Sequence, residues 1–188
     1  MDTHTNTPAP TDTDAGLSAE RRDLLDLLAT HRGFLRHAVA GVTDEQAAAR
    51  PTVSELCLGG LVKHVTGVER TWADFVVGGP ATSIDWASVD WSNPPPEVRE
   101  HQAAFAMTPD DTVEGVLAAY AEVAAATDAL VATVDLDRSW PLPEAPWSEP
   151  GGAWTARRTF LHIAAETAQH AGHADIIRES IDGQKTMG

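Results

Sequence analysis

The chain has 188 residues, enough for one domain that buries a core without disulfides or a structural metal. Its formal charge is −15 at pH 7 and its pI is near 4.7, so nucleic acids and anionic membrane surfaces are not expected partners. A single cysteine, Cys57, excludes an internal disulfide framework and a cysteine-rich zinc cluster, which fits a reducing compartment. Because neither a secretory signal nor an unbroken apolar run of about 18 residues occurs, we expect a cytoplasmic protein.

The N-terminal 16 residues are rich in Thr, Asp and Pro and carry almost no apolar side chains. Such a segment gains too little from burial to repay the entropy of ordering, so we expect residues 1–16 to be a disordered tail. The first helix is predicted to begin after Ser18, a suitable N-cap, and to run to about Val39, before Gly41. Its leucines recur at helical spacing.

The second helix is predicted after a short acidic connection over residues 43–50 and a break at Pro51. We expect Thr52 or Ser54 to cap this helix, which begins within residues 55–58. Its apolar residues recur three and four positions apart until a Gly-Gly-Pro sequence stops it.

Two stretches without helical periodicity separate the remaining helices, and the first of them can contain a short helix over residues 97–107. Four amphipathic helices with two long connections favour an all-α fold, a four-helix bundle with crossover connections. The predicted domain covers residues 17–183 and leaves a C-terminal tail at 184–188. The predicted ranges are 81–111 and 135–153 for the irregular stretches, 112–134 for the third helix, and 155–181 for the fourth, which Thr155 caps and Gly183 ends.

Four of the six tryptophans lie in the irregular stretches, at Trp86, Trp91, Trp140 and Trp147. Two interpretations are open, because an indole ring can line a substrate mouth or can cover the exposed end of a helix.

The fourth helix carries a candidate metal-binding pair, Glu166 and His170. At a spacing of four residues their Cβ atoms lie ~6 Å apart, so the carboxylate and the imidazole can converge on one cation. His173 follows on the same stripe. Because one helix cannot surround a cation, a third ligand must come from elsewhere, and His64 on the second helix is the candidate. Two imidazoles and one carboxylate leave a coordination position open for water or substrate.

Other histidines and the cysteine are weaker candidates. His162 is separated from His170 by two helical turns, ~11 Å of rise, so it is too far to share the same metal. We expect it to contact a ligand residue or to lie in the core. Each of the eight histidines also has an ordinary interpretation, as a surface residue or as a buried imidazole hydrogen-bonded to a neighbour. Cys57 is left out because no basic residue lies within two positions of it to activate the thiol.

Three segments resemble the DinB-like superfamily of four-helix bundles, and in particular its actinobacterial branch that includes the mini-circle proteins. They are LGGLVKHVTGVER (58–70), ETAQHAGHAD (166–175) and RESIDG (178–183). Many members of that superfamily bind a divalent metal through one His on the second helix and two His one turn apart on the last. In this chain Glu166 stands at the first position of that pair, and His173 stands where relatives often have Gln.

This His, Glu, His version is similar to mycothiol-dependent maleylpyruvate isomerase. The resemblance implies zinc ligands at His64, Glu166 and His170. His173 is then an additional ligand or a residue that contacts a ligand. The isomerase has a further C-terminal domain, and this sequence ends before one would begin. The resemblance therefore favours the simpler thiol S-transferase chemistry of the wider superfamily.

Three functions fit these residues. In the first, a divalent cation lowers the pKa of a small thiol such as mycothiol and presents the thiolate to an electrophile. The resemblance favours zinc, and iron(II) or nickel also suit the ligands. The second function is metal-assisted hydrolysis, in which water replaces the thiol. The third is a non-catalytic, stress-associated metal-binding bundle. The protein is a candidate homodimer in each case.

Overall fold

The computed structural model describes residues 16–80, 88–143 and 151–186. Most of the predicted N-terminal tail, together with Trp86 and Trp147, therefore lies outside the described residues. The regular elements of the described part are helices and one short antiparallel strand pair, in which Trp140 lies opposite Trp154. The elements in chain order are α1 (Ala19–Val39), α2 (Asp44–Ala48), α3 (Leu58–Gly78), α4 (Pro96–Ala103), α5 (Val113–Thr133), β1 (Ser139–Pro141), β2 (Ala153–Thr155) and α6 (Ala156–Asp182).

The predicted helix limits agree with the structure where capping residues mark them. The Ser18 hydroxyl accepts a hydrogen bond from the Arg21 backbone N–H at 3.3 Å and begins α1. Thr155 begins α6 in the same way, by accepting from the Arg158 backbone N–H at 3.1 Å. Gly183 ends α6 with φ of 81°, a left-handed conformation that glycine adopts without strain.

The segment between α1 and α3 differs from the prediction. The acidic connection contains α2, because the Thr43 and Gln46 side chains each bond the other's backbone N–H in a capping box. Neither Thr52 nor Ser54 caps α3. Their hydroxyls accept from backbone N–H groups two residues further on, which shapes a turn, and Cys57 occupies the N-cap position instead.

Four long helices form the bundle, as predicted: α1, α3, α5 and α6. Helix α1 packs beside α6 and α5, and α3 packs beside the same two helices. Arg157 pairs with Glu20 near the start of both α6 and α1, and Arg178 bonds the Ala38 carbonyl near their ends, so these two helices are parallel. Helices α3 and α5 also run parallel, which requires the long crossover over residues 79–112.

A buried ion pair crosses the bundle interior. Arg32 of α1 donates from Nε to the Glu69 carboxylate of α3 at 3.2 Å and from a terminal nitrogen to Asp128 of α5 at 2.7 Å. Arg32 is 2% exposed and Glu69 is fully buried. The partners satisfy each other's charge and tie three helices together, an arrangement that the sequence analysis did not identify.

Helix α5 is the one described helix that is long and apolar enough, by length and composition, to cross a membrane. Core helices of bundles pass the same test, and Val116, Tyr120 and Val123 of α5 are buried here. The composition is therefore weak evidence for a membrane span, and the absence of a membrane partner stays a prediction.

Of the two described tryptophans from the irregular stretches, Trp140 covers a helix end. Its indole Nε1 donates to the Val76 carbonyl in the last turn of α3 at 3.2 Å, and its ring lies against Gly79. Trp91 is 59% exposed. For Trp140 the second of the two interpretations is thus correct.

Candidate metal centre

The structure brings together the three residues predicted as ligands. Helices α3 and α6 are antiparallel neighbours, and His64 of α3 faces Glu166 and His170 of α6. One ligand atom from each side chain lies within 4.8 Å of the others. The two imidazoles meet edge to face with ring centroids 4.7 Å apart, and each of these histidines is 8% exposed. The cluster lies in the interface between α3 and α6.

The chemistry of this cluster fits a divalent cation. Two donor atoms bound to one tetrahedral zinc lie about 3.4 Å apart, so side-chain rotations that move the donors inward by roughly 1 Å suffice. Burial lowers the pKa of the His170 imidazole, and Glu166 only partly opposes this effect. Burial therefore favours the neutral form of the ring, whose nitrogen lone pair can bind a metal.

The two nitrogens of His170 face different partners. Its Nε2 lies 3.7 Å from a carboxylate oxygen of Glu166, and its Nδ1 lies 3.4 Å from Nδ1 of His173. His173 therefore contacts the nitrogen that points away from Glu166. This position suits a residue that orients the His170 ring better than it suits a ligand of the same cation.

On the other side of Glu166, His162 lies in an aromatic pocket. Its Nε2 is 3.7 Å from the second carboxylate oxygen of Glu166. Trp72 and Trp154 stack on each other, and the imidazole meets both edge to face, with centroids at 4.9 and 4.8 Å. Burial lowers the pKa of His162, as it does for His170, and Glu166 again opposes the effect. The prediction that His162 lies beside the cluster rather than inside it agrees with this placement.

Phe105 covers the His64 ring and was missed by the sequence analysis. Its ring stacks on His64 with centroids 3.9 Å apart and planes inclined by 23°. Phe105 belongs to the turn that follows α4, because the short helix predicted over residues 97–107 ends at Ala103. Cys57, which was left out of the site, is buried and donates weakly from Sγ to the Phe105 carbonyl at 3.8 Å.

Two contacts hold this turn, residues 104–107, against α3. Lys63 donates from Nζ to the Ala106 carbonyl at 3.0 Å and to the Asp111 carboxylate at 2.6 Å. Asp111 also accepts from the Thr108 backbone N–H, and the hydrogen bond from Lys63 is the main reason that its pKa is lowered. Lys63 and Asp111 thus fix the turn on both sides.

A glycine pair lets the turn approach the helix. A Cβ atom on Gly60 would lie 1.9 Å from the Phe105 carbonyl oxygen, and one on Gly59 would lie 2.1 Å from Sδ of Met107. Two glycines in the first turn of a helix were the signal in the sequence that another segment lies close by.

An open groove of about 310 Å³ runs between α3 and α5, away from α6. Lys63, Arg70, Asp110 and Asp111 give its lining equal numbers of positive and negative side chains. The three clustered residues are not among its lining residues, so the groove and the candidate metal centre are separate features.

Comparisons with known proteins agree with the fold and its motifs. No curated protein matches the chain. A solved structure, the conserved protein of locus from Enterococcus faecalis, is similar with a TM-score of 0.61 over 87% of this chain and 97% of that chain. At 14% identity this likeness shows the fold alone. The mycothiol-S-transferase family model matches residues 23–183, a range that includes His64, Glu166 and His170. The predicted DinB-like resemblance is confirmed, and the chain belongs to the mycothiol-S-transferase family.

Proposed function

We propose that the protein is a divalent-metal-dependent S-transferase that joins a small thiol of the mycothiol type to an electrophile. One observation carries the proposal: His64, Glu166 and His170 converge to within 4.8 Å in a chain of the mycothiol-S-transferase family. The family supports the thiol, and the convergence of two imidazoles with one carboxylate supports the metal.

The charges of the three side chains suit thiol activation. When bound, a divalent cation lowers the pKa of a coordinating thiol, so that the thiol is ionised near neutral pH. His64 and His170 are neutral donors and Glu166 contributes one negative charge. The three residues therefore offset half of the charge of such a cation, and the remaining positive charge favours a thiolate over a neutral thiol.

The surroundings of the cluster favour the same chemistry. Phe105 covers one face of the His64 ring and keeps part of the site apolar. His173 contacts Nδ1 of His170 and leaves Nε2 for the cation. In the proposed reaction the thiol loses its proton to solvent. Its sulfur then forms a bond to an electrophilic carbon as the bond from that carbon to its leaving group breaks, and the leaving group departs with the electron pair and takes a proton from solvent. Zinc is the proposed cation, with iron(II) and nickel as the alternatives that suit the same donors.

Metal analysis of alanine variants tests the ligand set. After dialysis, wild-type protein should hold one divalent cation per chain, whereas His64→Ala, Glu166→Ala and His170→Ala should each lose it. His173→Ala should keep the metal with weaker affinity, and His37→Ala, an exposed histidine on α1, is the matched control. A wild-type protein without stoichiometric metal would refute the metal part of the proposal.

A conjugation assay tests the reaction. With mycothiol and a chromogenic electrophile, the rate should follow metal occupancy, fall on chelation and return when zinc is added. If metal-loaded protein hydrolyses a test ester but conjugates neither mycothiol nor other small thiols, metal-assisted hydrolysis would replace thiol transfer as the proposed function. Metal-loaded protein that does neither would favour the non-catalytic bundle.

A further inference from the structure

The Glu166 carboxylate lies between two histidines of its own helix. One oxygen is 3.7 Å from Nε2 of His162, and the other is 3.7 Å from Nε2 of His170. We propose that His162 is a positioning residue: it holds one oxygen of Glu166 and thereby directs the other toward the metal. This inference rests on the proposed function and adds a residue to it.

The His162 ring is itself held in place by aromatic side chains. Trp72 of α3 and Trp154 of β2 stack on each other with centroids 4.9 Å apart, and both present a face or edge to the imidazole. Arg158 covers Trp154 with its guanidinium 4.3 Å from the ring centroid. The His162 side chain is 22% exposed, so the aromatic rings restrict its position while solvent still reaches it.

The stacked indoles pack against one side of the His162 ring and cannot bond its ring nitrogens, so these nitrogens need polar partners elsewhere. Its Nε2 faces Glu166, and a neutral imidazole can donate an N–H from this atom to a carboxylate. The present separation exceeds hydrogen-bond length by less than about 1 Å, which a rotation of the Glu166 carboxylate closes. This hydrogen bond from His162 would restrict the rotation of the Glu166 carboxylate, which a partly exposed glutamate otherwise keeps.

The arrangement places an orienting group behind each ligand of α6. His162 contacts Glu166, and His173 contacts His170 on the opposite side. Partners of this kind fix the direction of a ligand, and their loss typically reduces metal affinity about 10–100-fold. His162 cannot replace Glu166 as a ligand, because two helical turns, ~11 Å of rise, separate it from His170.

Two substitutions separate positioning from packing. His162→Phe keeps an aromatic ring against the stacked Trp72 and Trp154 but removes the donor, and His162→Gln keeps a donor but removes the ring. Zinc affinity is measured by competition with a chromogenic chelator, the absorption spectrum of the cobalt(II) form reports the ligand field, and melting of metal-free protein reports packing.

The positioning role predicts that His162→Phe lowers zinc affinity about 10–100-fold and changes the cobalt spectrum, with little change in melting temperature. His162→Gln should retain most of the affinity although it melts earlier. Wild-type affinity in His162→Phe, or equal loss of affinity in both variants, would overturn the inference and leave the proposed function intact. Absence of metal binding by the wild-type protein would instead overturn the proposed function and this inference with it.

Discussion

Replacing Gly60 by alanine tests whether the turn at residues 104–107 is held against α3 as closely as the structure indicates. The added Cβ would lie 1.9 Å from the Phe105 carbonyl oxygen, whereas real Cβ contacts essentially never fall below 3.0 Å. The backbone of the turn must therefore move by at least 1.1 Å, the difference between these distances. Because Phe105 stacks on His64, the displacement reaches the candidate metal centre.

The magnitude follows from two opposing effects. Alanine is favoured over glycine inside a helix by about 1 kcal/mol. Overpacking against a fixed backbone costs about 1–3 kcal/mol. Gly67→Ala, in the same helix, gains the first effect alone, because its Cβ would meet no atom within 4 Å. The two variants should therefore differ in unfolding free energy by about 1–3 kcal/mol, with Gly60→Ala the less stable.

Thermal and urea denaturation of metal-free protein measure this difference, and chelator competition measures its effect on the site. For a chain of this size, each 1 kcal/mol corresponds to a shift of roughly 2–4 °C in melting temperature. Gly60→Ala should also bind zinc more weakly than Gly67→Ala. Equal stability and equal zinc affinity in the two variants would show that the turn is not held against the glycine pair.

Three further predictions concern stability. Glu69→Ala leaves the buried Arg32 guanidinium without its main partner and should lower the unfolding free energy in urea by about 3–5 kcal/mol; a loss below about 1 kcal/mol would contradict the buried pair. His162 and His170 have folded-state pKa values below the ordinary 6.5, so the unfolded chain takes up protons first. Their contribution to the stability of metal-free protein should be complete above pH 6.5 and decline as the pH falls below it, and urea titrations that show rising stability on acidification would contradict this sign. Removal of residues 1–16 should leave the melting temperature nearly unchanged, whereas a loss of several degrees would show that this segment packs on the bundle.

Local signals in the sequence predicted most of the fold. Ser18, Thr155 and Gly183 mark helix ends through bonds or backbone conformations that involve only nearby residues, so short-range rules suffice. The α2 capping box is equally local and could have been found, since Thr43 and Gln46 stand at the required spacing. The Arg32–Glu69 pair is different, because nothing near either residue indicates which distant helix supplies its partner.

The residues of the candidate site also differ in whether local signals in the sequence predict them. Glu166 and His170 were predictable because both lie on one helix, one turn apart. His64 required the further inference that a second helix completes the site, because one helix cannot surround a cation. The role of Phe105 could not be predicted, because its contact with His64 depends on how an irregular turn folds over a neighbouring helix.

The parallel packing of α3 and α5 has a consequence for which part of the chain forms the wall of the candidate site. The connection over residues 79–112 must return along the bundle before α5 begins, and near its end it lays Phe105 on the ring of His64. The proposed ligands thus belong to rigid helices, while the wall beside them belongs to a connection that tolerates insertions and substitutions. A substitution in this connection would therefore change the wall beside the proposed site without moving the three proposed ligands.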